Sequence, residues 1–299
     1  MTTPSEGQRA SASVPASAEV GEWSASGASR RDGLRGRGTL HDGERVILLD
    51  RKGRRYLVTL SEAGEFHSHN GYVAHADIVG RGEGAVVRST RGSEYTVLRP
   101  TLEDVVIEMP RGAQVIYPKD LAPICMLADI APGLRVFETG LGSGALSMTM
   151  LRYGASIVGY ELREDFAKRA QRNVAEFLGD AALERYDVKV RDSYEGIDPD
   201  DAGDGFDRVL LDLPEPWQVV PHAEKALVPG GICVAYTPSI TQAAQTRETL
   251  KGKWIDARTI EVMHRGWHID GQAVRPDHRM VAHTGFLTAA RYLGRARAR

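Results

Sequence analysis

Three glycines at alternate positions, Gly140, Gly142 and Gly144, follow a short apolar segment and the acid Glu138. Glycine lets a strand turn sharply into a helix and lets a ligand lie against bare backbone. A helix that begins at Ala145 would present unpaired N–H groups to that ligand. The loop therefore predicts a site for a nucleoside-bearing cofactor, although glycine-rich turns also occur as plain connections.

The spacing of the glycines and the acid before them distinguish two cofactors. A dinucleotide-binding loop reads G-x-G-x-x-G, whereas this loop closes one residue earlier. Glu138 would repel a pyrophosphate but attract the ammonium group of an amino-acid moiety. S-adenosylmethionine carries such an ammonium group and no phosphate, so the loop favours it over NAD.

Two further acidic residues, Glu161 and Asp192, stand at the ends of the next two apolar segments. Glu161 can accept hydrogen bonds from both hydroxyls of a ribose, and Leu162 beside it can lie on the face of an adenine. Asp192 can accept a hydrogen bond from the exocyclic amine of that adenine. Because parallel strands end at one edge of a sheet, where ligands bind, we expect Glu138, Glu161 and Asp192 to form one site. The alternative is that they are solvated turn residues.

Asp212 opens a second informative loop, Asp-Leu-Pro-Glu-Pro-Trp, after the apolar residues 209–211. Its two prolines stiffen the loop. A rigid carboxylate can accept the amino hydrogens of a planar base while an aromatic ring stacks on that base. The loop resembles the D-P-P-Y/W loop of methyltransferases that act on amino-substituted rings, with a different residue order. Trp217 is either the stacking ring or a packing residue.

Apolar strand-like segments and amphipathic helical segments alternate from Asp120 to Tyr236. We expect Asp120 to cap the first of these helices. Such alternation predicts an open parallel sheet covered by helices on both faces. Two β-like stretches at about 258–264 and 284–292 have no long helix between them. We therefore predict an α/β fold, with a class I methyltransferase, Rossmann-like sheet and an antiparallel C-terminal strand pair.

Residues 37–104 show a different pattern of short β segments, at 45–49, 56–59, 72–74, 84–88 and 95–98, without helices. The dipeptide Asn70-Gly71 is typical of a hairpin turn. We predict a small β-barrel-like domain over 37–104, which would be an accessory or binding module. Residues 1–36 are rich in Ser, Ala, Gly and Pro and predict a disordered tail, and 105–299 would form the methyltransferase domain.

Composition restricts the class of protein. The chain of 299 residues has a formal net charge of −2, so a nucleic-acid partner would have to be bound by local basic clusters. There is no apolar run long enough for a membrane span and no apolar signal segment. Cys125 and Cys233 lie in apolar surroundings and are expected to be reduced, which favours a cytoplasmic protein. His67, His69 and His75 lack a completing ligand, so no metal is expected.

Four segments in order, residues 111–120, 138–146, 212–217 and 274–280 with 283–286, resemble the tRNA (adenine-N1)-methyltransferase family that modifies adenine 58. The resemblance covers about residues 38–292. Thr139 and Leu141 depart from the Glu-Ala-Gly that usually begins the family's glycine loop. Residues 164–194 and 212–238 are more similar to the archaeal branch, which can also modify adenine 57.

The resemblance implies S-adenosylmethionine as cofactor, tRNA as substrate and a homotetramer. Methyl transfer needs no metal, so none is expected. Asp212 would hold the N6 amine of the target adenine, with Tyr117 and Tyr236 either enclosing the base or packing. The cofactor would be bound by residues of the 111–120 segment, the glycine loop and the strand ends: Gln114, Glu138, Gly140, Leu141, Gly142, Ser143, Gly144, Ala145, Leu146, Glu161, Leu162, Asp192 and Asp212.

Phosphate contacts would come from local cations, namely Arg111, Lys119, Arg265, Arg275, Arg279, His264, His268, His278, His283 and the C-terminal Arg295, Arg297 and Arg299. Two other interpretations stay open. An NAD(P)-dependent oxidoreductase is disfavoured by the early closure of the glycine loop. A non-catalytic RNA-binding subunit is disfavoured because the loop and Asp212 are both intact.

Overall fold

The computed structural model describes residues 38–109, 112 and 114–294. The tail predicted at 1–36, Arg111 and the C-terminal arginines lie outside the described residues. The N-terminal β region contains β1 (Arg45–Asp50), β2 (Arg55–Thr59), β3 (Glu65–Ser68), β4 (Gly71–Ala74), β5 (Val86–Arg88) and β6 (Glu94–Leu98). Four of these strands form an antiparallel sheet in the order β2-β1-β6-β5, and β3 and β4 form a separate hairpin.

An aromatic cluster joins this hairpin to the four-stranded sheet. The ring of Phe66 on β3 lies 5.0 Å from that of Tyr56 and 5.5 Å from that of Tyr95. The sequence pattern missed β3 because Phe66 is its one large apolar residue, while Glu65 and His67 alternate with it toward solvent. All five strands predicted in this region are present, and so is the hairpin turn at Asn70-Gly71.

Helix α1 (Leu102–Glu108) links the two parts of the chain. Asp104 accepts hydrogen bonds from the backbone N–H and the hydroxyl of Thr101, which complete a capping box, and it forms an ion pair with Arg55 on β2. Val105 and Val106 are buried in the core of the larger part. The predicted boundary at residue 104 thus falls inside α1, and we propose that the two domains meet along this helix.

The larger part contains α2 (Pro118–Leu127), β7 (Arg135–Thr139), α3 (Ala145–Arg152), β8 (Ser156–Glu161), α4 (Glu164–Leu178), β9 (Tyr186–Val190), α5 (Pro199–Ala202), β10 (Phe206–Leu211), α6 (Val220–Ala226), β11 (Leu227–Thr237), α7 (Ile240–Thr249), β12 (Trp254–Glu261), β13 (Trp267–Asp270), β14 (Ala273–Pro276) and β15 (Phe286–Tyr292). Its seven-stranded sheet has the order β12-β15-β11-β10-β7-β8-β9. Strands β7 to β11 are mutually parallel, and β15 is antiparallel to both neighbours. The predicted fold class and the antiparallel C-terminal pair are confirmed.

Side-chain alternation in the central strands builds a separate core on each face of this sheet. On β7, Val136 is buried in the core beneath α2, α3 and α4, whereas Phe137 is buried in the core beneath α6. Leu210 and Leu211 of β10 divide in the same way. Burial on both faces explains why these strands are continuous apolar runs in the sequence.

The structure differs from the sequence analysis in three local details of the larger part. Asp120 does not cap α2, because the helix begins at Pro118 with Tyr117 as its cap residue, and Asp120 is fully buried in the first turn. Residues 229–231, a Pro-Gly-Gly sequence, lie inside β11, where its pairing with β10 shifts register. The hairpin formed by β13 and β14 was not predicted, because its alternation of apolar and polar residues is solvent-exposed on both faces.

Within the described ranges, no helix is long and apolar enough to cross a bilayer.

The capping box of α1 gives a stability prediction. Asp104→Ala removes the acceptor for both groups of Thr101, and should lower the free energy of unfolding by about 1–2 kcal/mol. Glu103→Ala, at an exposed position of the same turn, should change it by less than about 0.5 kcal/mol. Urea unfolding followed by circular dichroism measures both; equal effects would contradict the role of the cap.

Candidate active site

A cavity of about 650 Å³ opens at the carboxyl ends of the parallel strands. Eight of the residues predicted to form the site line it: Gln114, Gly140, Gly142, Glu161, Leu162, Asp192, Asp212 and Tyr236. The volume is in the range of ordinary small-molecule sites. Seven other predicted residues are not part of its lining: Tyr117, Glu138, Leu141, Ser143, Gly144, Ala145 and Leu146.

The glycine loop rests directly on the strand end that carries Asp212. A Cβ on Gly140 would lie 2.0 Å from the backbone oxygen of Asp212, and Gly140 has φ of +84°. The backbone N–H of Asp212 in turn donates to the carbonyl of Thr139 at 3.0 Å. A side chain at position 140 is therefore excluded by both space and backbone conformation.

The second strand-end acid is fixed in place by backbone groups. Glu161 accepts hydrogen bonds from the backbone N–H of Gly142 (3.1 Å) and from that of Arg163 (3.0 Å). Asp192 accepts one from the backbone N–H of Tyr194 at 2.9 Å. Leu162 is 65% exposed on the cavity wall. Two carboxylates and an apolar surface are thus presented together, with the carboxylates held by local turns.

Glu138 lies beneath the loop rather than at the cavity. It is 1% exposed, and its carboxylate accepts a hydrogen bond from Ser147 on α3, whose hydroxyl accepts one from Tyr186. Burial, with smaller contributions from Asp212 and Glu161, raises the pKa of Glu138 to about 8. The pleat of β7 turns this side chain toward the helix face, which is why it does not line the cavity.

Asp212 is the carboxylate most directly aimed at a ligand. It is half-buried at the cavity wall, and its side chain accepts no hydrogen bond from any other residue in the described part of the chain. Desolvation by burial, then repulsion by Glu161, raises the pKa of Asp212 to about 7. An unpartnered acceptor with a raised pKa is typical of functional sites.

The three aromatic residues predicted to lie near the target base differ in their position relative to the cavity. Tyr236 lines the cavity, and its hydroxyl donates to the carbonyl of Thr284 at 2.8 Å. Burial is the main cause that raises the pKa of this hydroxyl to about 12. Tyr117 and the half-buried Trp217 are not in the cavity lining. The interpretation of Trp217 as a packing residue agrees with this position.

Sequence reasoning missed several cavity residues. The hydroxyl of Thr139 donates to that of Ser193 at 2.8 Å, which links the ends of β7 and β9 inside the cavity. Phe166 also lines it, with the guanidinium of Arg163 4.1 Å from its ring centre. Phe166 lies at an apolar position of α4, and helical periodicity does not distinguish a core position from a cavity wall. The available signal for Ser193 was its position three residues beyond the end of β9, directly after Asp192.

The predicted basic residues divide by exposure. Lys119 is 8% exposed and paired with Asp120, so it is not a surface cation. Arg265, Arg275 and Arg279 lie exposed around β13 and β14. Among the N-terminal histidines, His75 accepts a hydrogen bond from the backbone N–H of Ser61. Across the described residues, no three or more His, Cys, Asp or Glu side chains are grouped as metal ligands.

The sheet order, the glycine loop after β7 and the acids at successive strand ends define a class I methyltransferase fold, the class that uses S-adenosylmethionine. Two family models match the chain: the tRNA methyltransferase complex GCD14 subunit over residues 94–276, and the TrmI-like N-terminal region over residues 38–87. The chain belongs to this tRNA methyltransferase family.

Named relatives agree with that membership. The chain is 38% identical to tRNA (adenine(58)-N(1))-methyltransferase TrmI of Thermus thermophilus, across 82% of this chain and 96% of the relative. It is 34% identical to tRNA (adenine(57)-N(1)/adenine(58)-N(1))-methyltransferase TrmI of Methanocaldococcus jannaschii, across 82% and 94%.

Two solved structures are also similar. A SAM-dependent O-methyltransferase from Thermotoga maritima superposes with a TM-score of 0.80 and 32% identity, over 87% of this chain and 97% of that one. The tRNA (m1A58) methyltransferase TrmI of Aquifex aeolicus gives a TM-score of 0.75 and 26% identity, over 85% and 99%.

The contact between Gly140 and Asp212 gives a prediction for the loop. Gly140→Ala should destabilise the protein by several kcal/mol, because about 1–2 kcal/mol of left-handed strain is joined by a backbone clash. Gly142→Ala is the matched control: it has φ of +53° but open space around its Cβ, so it should cost the strain alone. Thermal unfolding without ligand compares them. Equal losses would mean that the loop does not depend on the Asp212 contact.

Proposed function

We propose that this protein transfers a methyl group from S-adenosylmethionine to N1 of adenine 58 in the T-loop of tRNA. The observation that carries the proposal is Asp212, a carboxylate without a partner among the described residues, on the wall of a cavity formed by the glycine loop and Glu161. The Thermus thermophilus relative is named for adenine 58 and the Methanocaldococcus jannaschii relative for adenines 57 and 58. Adenine 57 is therefore the second candidate target.

The chemistry of the cavity fits S-adenosylmethionine better than a dinucleotide. Asp212 and Glu161 both contribute to the raised pKa of Glu138, and Glu161 contributes to that of Asp212, so the three acids lie close together. Such a set disfavours a pyrophosphate. A ligand with an ammonium and a sulfonium group would relieve their repulsion. Glu161 would hold the ribose hydroxyls, and Leu162 and Asp192 the adenine.

Five other residues of the glycine loop were predicted to bind the cofactor but do not line the cavity. We propose that they shape the loop from the side that faces away from the cavity: Leu141, Ser143, Gly144, Ala145 and Leu146. Glu138 would act in the same indirect way, as a buried carboxyl group beneath the loop that accepts a hydrogen bond from Ser147.

The cofactor supplies an electrophilic methyl group, so the protein's task is to position the base and stabilise the charge that the base acquires. Adenine N1 is unprotonated at neutral pH and needs no strong base. Asp212 would accept a hydrogen bond from the N6 amine, which orients N1 and stabilises the positive charge that develops on the ring. Tyr236 would form one wall for the base, which must first be extruded from folded tRNA.

Local cations support tRNA binding despite the net charge of −2. One group is formed by Arg265, Arg275 and Arg279. A second group lies at one end of the N-terminal sheet, where four basic and two acidic residues line a surface cavity of about 450 Å³: Arg51, Lys52, Arg54, Arg88, Asp50 and Glu94. We propose that both groups contact phosphates. A tRNA-modifying role also agrees with the expected cytoplasmic location.

We propose in addition that the protein is a homotetramer. Strands β13 and β14 pair so that Trp267 lies opposite Pro276 and Ile269 opposite Val274, which gives the hairpin one apolar face. Trp267, Ile269 and Val274 are 57%, 72% and 58% exposed. Burying this face against another copy would remove the apolar surface from water. Sedimentation equilibrium measures the mass; a monomer at micromolar concentration would remove this proposal and leave the catalytic one.

The reaction is tested with unmodified tRNA transcript and labelled S-adenosylmethionine. Mass spectrometry of the digested nucleosides should find 1-methyladenosine, and mapping by reverse transcription should place it at position 58. A transcript with guanine at position 58 reports whether position 57 is used. Methylated ribose, or no nucleobase product, would overturn the proposal.

Asp212 should give the pH–rate profile of the reaction an acid limb, in which the rate falls as the pH is lowered. Because the raised pKa of about 7 belongs to an acid, the ionised form that accepts from the amine is lost as the pH falls below 7, and kcat/KM should fall with it. Asp212→Asn should lower turnover at saturating cofactor about 10²- to 10³-fold and abolish this limb. The exposed neighbour Glu215→Gln is the control. Unchanged turnover in Asp212→Asn would exclude Asp212 from the chemistry.

A further inference from the structure

The segment between β12 and β15, residues 262–285, projects from the catalytic domain and carries the β13–β14 hairpin; we call it the arm. Both ends of the arm are bound to α2. The ammonium group of Lys119 donates to the carbonyl of Val262 at 2.5 Å. The hydroxyl of Thr284 donates to the carboxylate of Asp120 at 2.6 Å. The base of the arm is therefore closed by two adjacent residues of one helix.

Lys119 and Asp120 form a buried ion pair, with the ammonium group 2.8 Å from the carboxylate. Asp120 is completely buried and Lys119 is 8% exposed. A buried pair is costly unless its remaining donors and acceptors are also satisfied. Here Val262 and Thr284, from the two ends of the arm, provide those hydrogen bonds. In this position of the arm, each partner of the ion pair has a further hydrogen bond to the arm.

From Thr284 the contacts continue to the cavity. The carbonyl of Thr284 accepts the hydrogen bond from the Tyr236 hydroxyl at 2.8 Å. The ring of Tyr236 lies on Gly285, where a Cβ would come within 2.5 Å of it. Thr284 and Tyr236 both line the cavity that contains Asp212, whereas Asp120 does not. Asp120 can therefore influence a bound base only through other residues.

A second contact fixes the same wall from the other side. His283 lies 2.7 Å from the carboxylate of Glu261 and 2.8 Å from the carbonyl of Pro238, which also lines the cavity. Both ends of the arm and the end of β11 thus meet at one side of the cavity.

We propose that Asp120 is a positioning residue that, by holding Thr284, fixes Tyr236 as the wall of the nucleobase site, so that this site is complete only when the arm is closed. The proposal rests on the proposed function for the identity of the base. It assigns no role in cofactor binding to Asp120 or Thr284, because the acids and loop that would hold the cofactor lie on β7, β8 and β9.

Thr284→Val tests the link without removing the buried pair, since it deletes the hydroxyl and keeps the side-chain volume. We expect kcat for tRNA methylation to fall about tenfold, with cofactor affinity, measured by calorimetry, within about twofold of the wild type. Thr284→Ser keeps the hydroxyl and should restore kcat. Asp120→Asn should resemble Thr284→Val in kcat, but it leaves Lys119 buried without its counter-charge and serves only as a supporting variant.

A double-mutant cycle distinguishes positioning from general destabilisation. If Thr284 acts through Tyr236, Tyr236→Phe/Thr284→Val should be no slower than Tyr236→Phe alone, within about twofold. Multiplying effects in the double variant, or weaker cofactor binding in Thr284→Val, would overturn the proposal. So would a Thr284→Val variant with wild-type kcat.

A readout without turnover separates this proposal from the proposed function. Amide hydrogen exchange of Thr284→Val should be faster across the arm and unchanged in α3. If the wild type methylates no adenine, the proposed function fails while this measurement still tests the closure of the arm. Unchanged exchange in the arm would refute the closure itself.

Discussion

The site depends on the crowding of carboxylates at one edge of a parallel sheet. Glu161 and Asp212 come from strands that end together, and Glu138 lies just beneath them. In the described part of the chain none of the three forms an ion pair, and burial and mutual repulsion raise the pKa of Glu138 to about 8 and of Asp212 to about 7. A cavity of this kind stabilises a cationic ligand, because the ligand provides the counter-charge that the protein does not.

Backbone geometry keeps these acids in place without cations. Gly142 and Arg163 hold Glu161 through their N–H groups, and the absence of a side chain at Gly140 allows the loop to touch the strand of Asp212. The glycine loop therefore has two roles: it leaves room for a ligand, and it fixes the distance between two strand ends.

The antiparallel end of the sheet forms the side of the cavity that contains Tyr236 and Thr284. Strand β15 brings Gly285 and Thr284 against Tyr236, and the arm between β12 and β15 returns to the buried pair of α2. The parallel half of the sheet thus presents the acids that suit a nucleoside cofactor, and the antiparallel half shapes the side where a second ligand would lie. The N-terminal β region is joined to this frame through α1 and Asp104.

The sequence by itself determined the fold class and the residues at the strand ends. Apolar runs buried on both faces mark parallel strands, and glycine spacing marks the loop, because both are local constraints on the chain. Only the tertiary structure decided that Glu138 faces α3, that Asp120 and Lys119 are a buried pair rather than a cap and a surface cation, and that Phe166 and Ser193 line the cavity. Those facts depend on contacts between segments distant in sequence, such as that between Asp120 and Thr284, which are 164 positions apart, and no local pattern contains them.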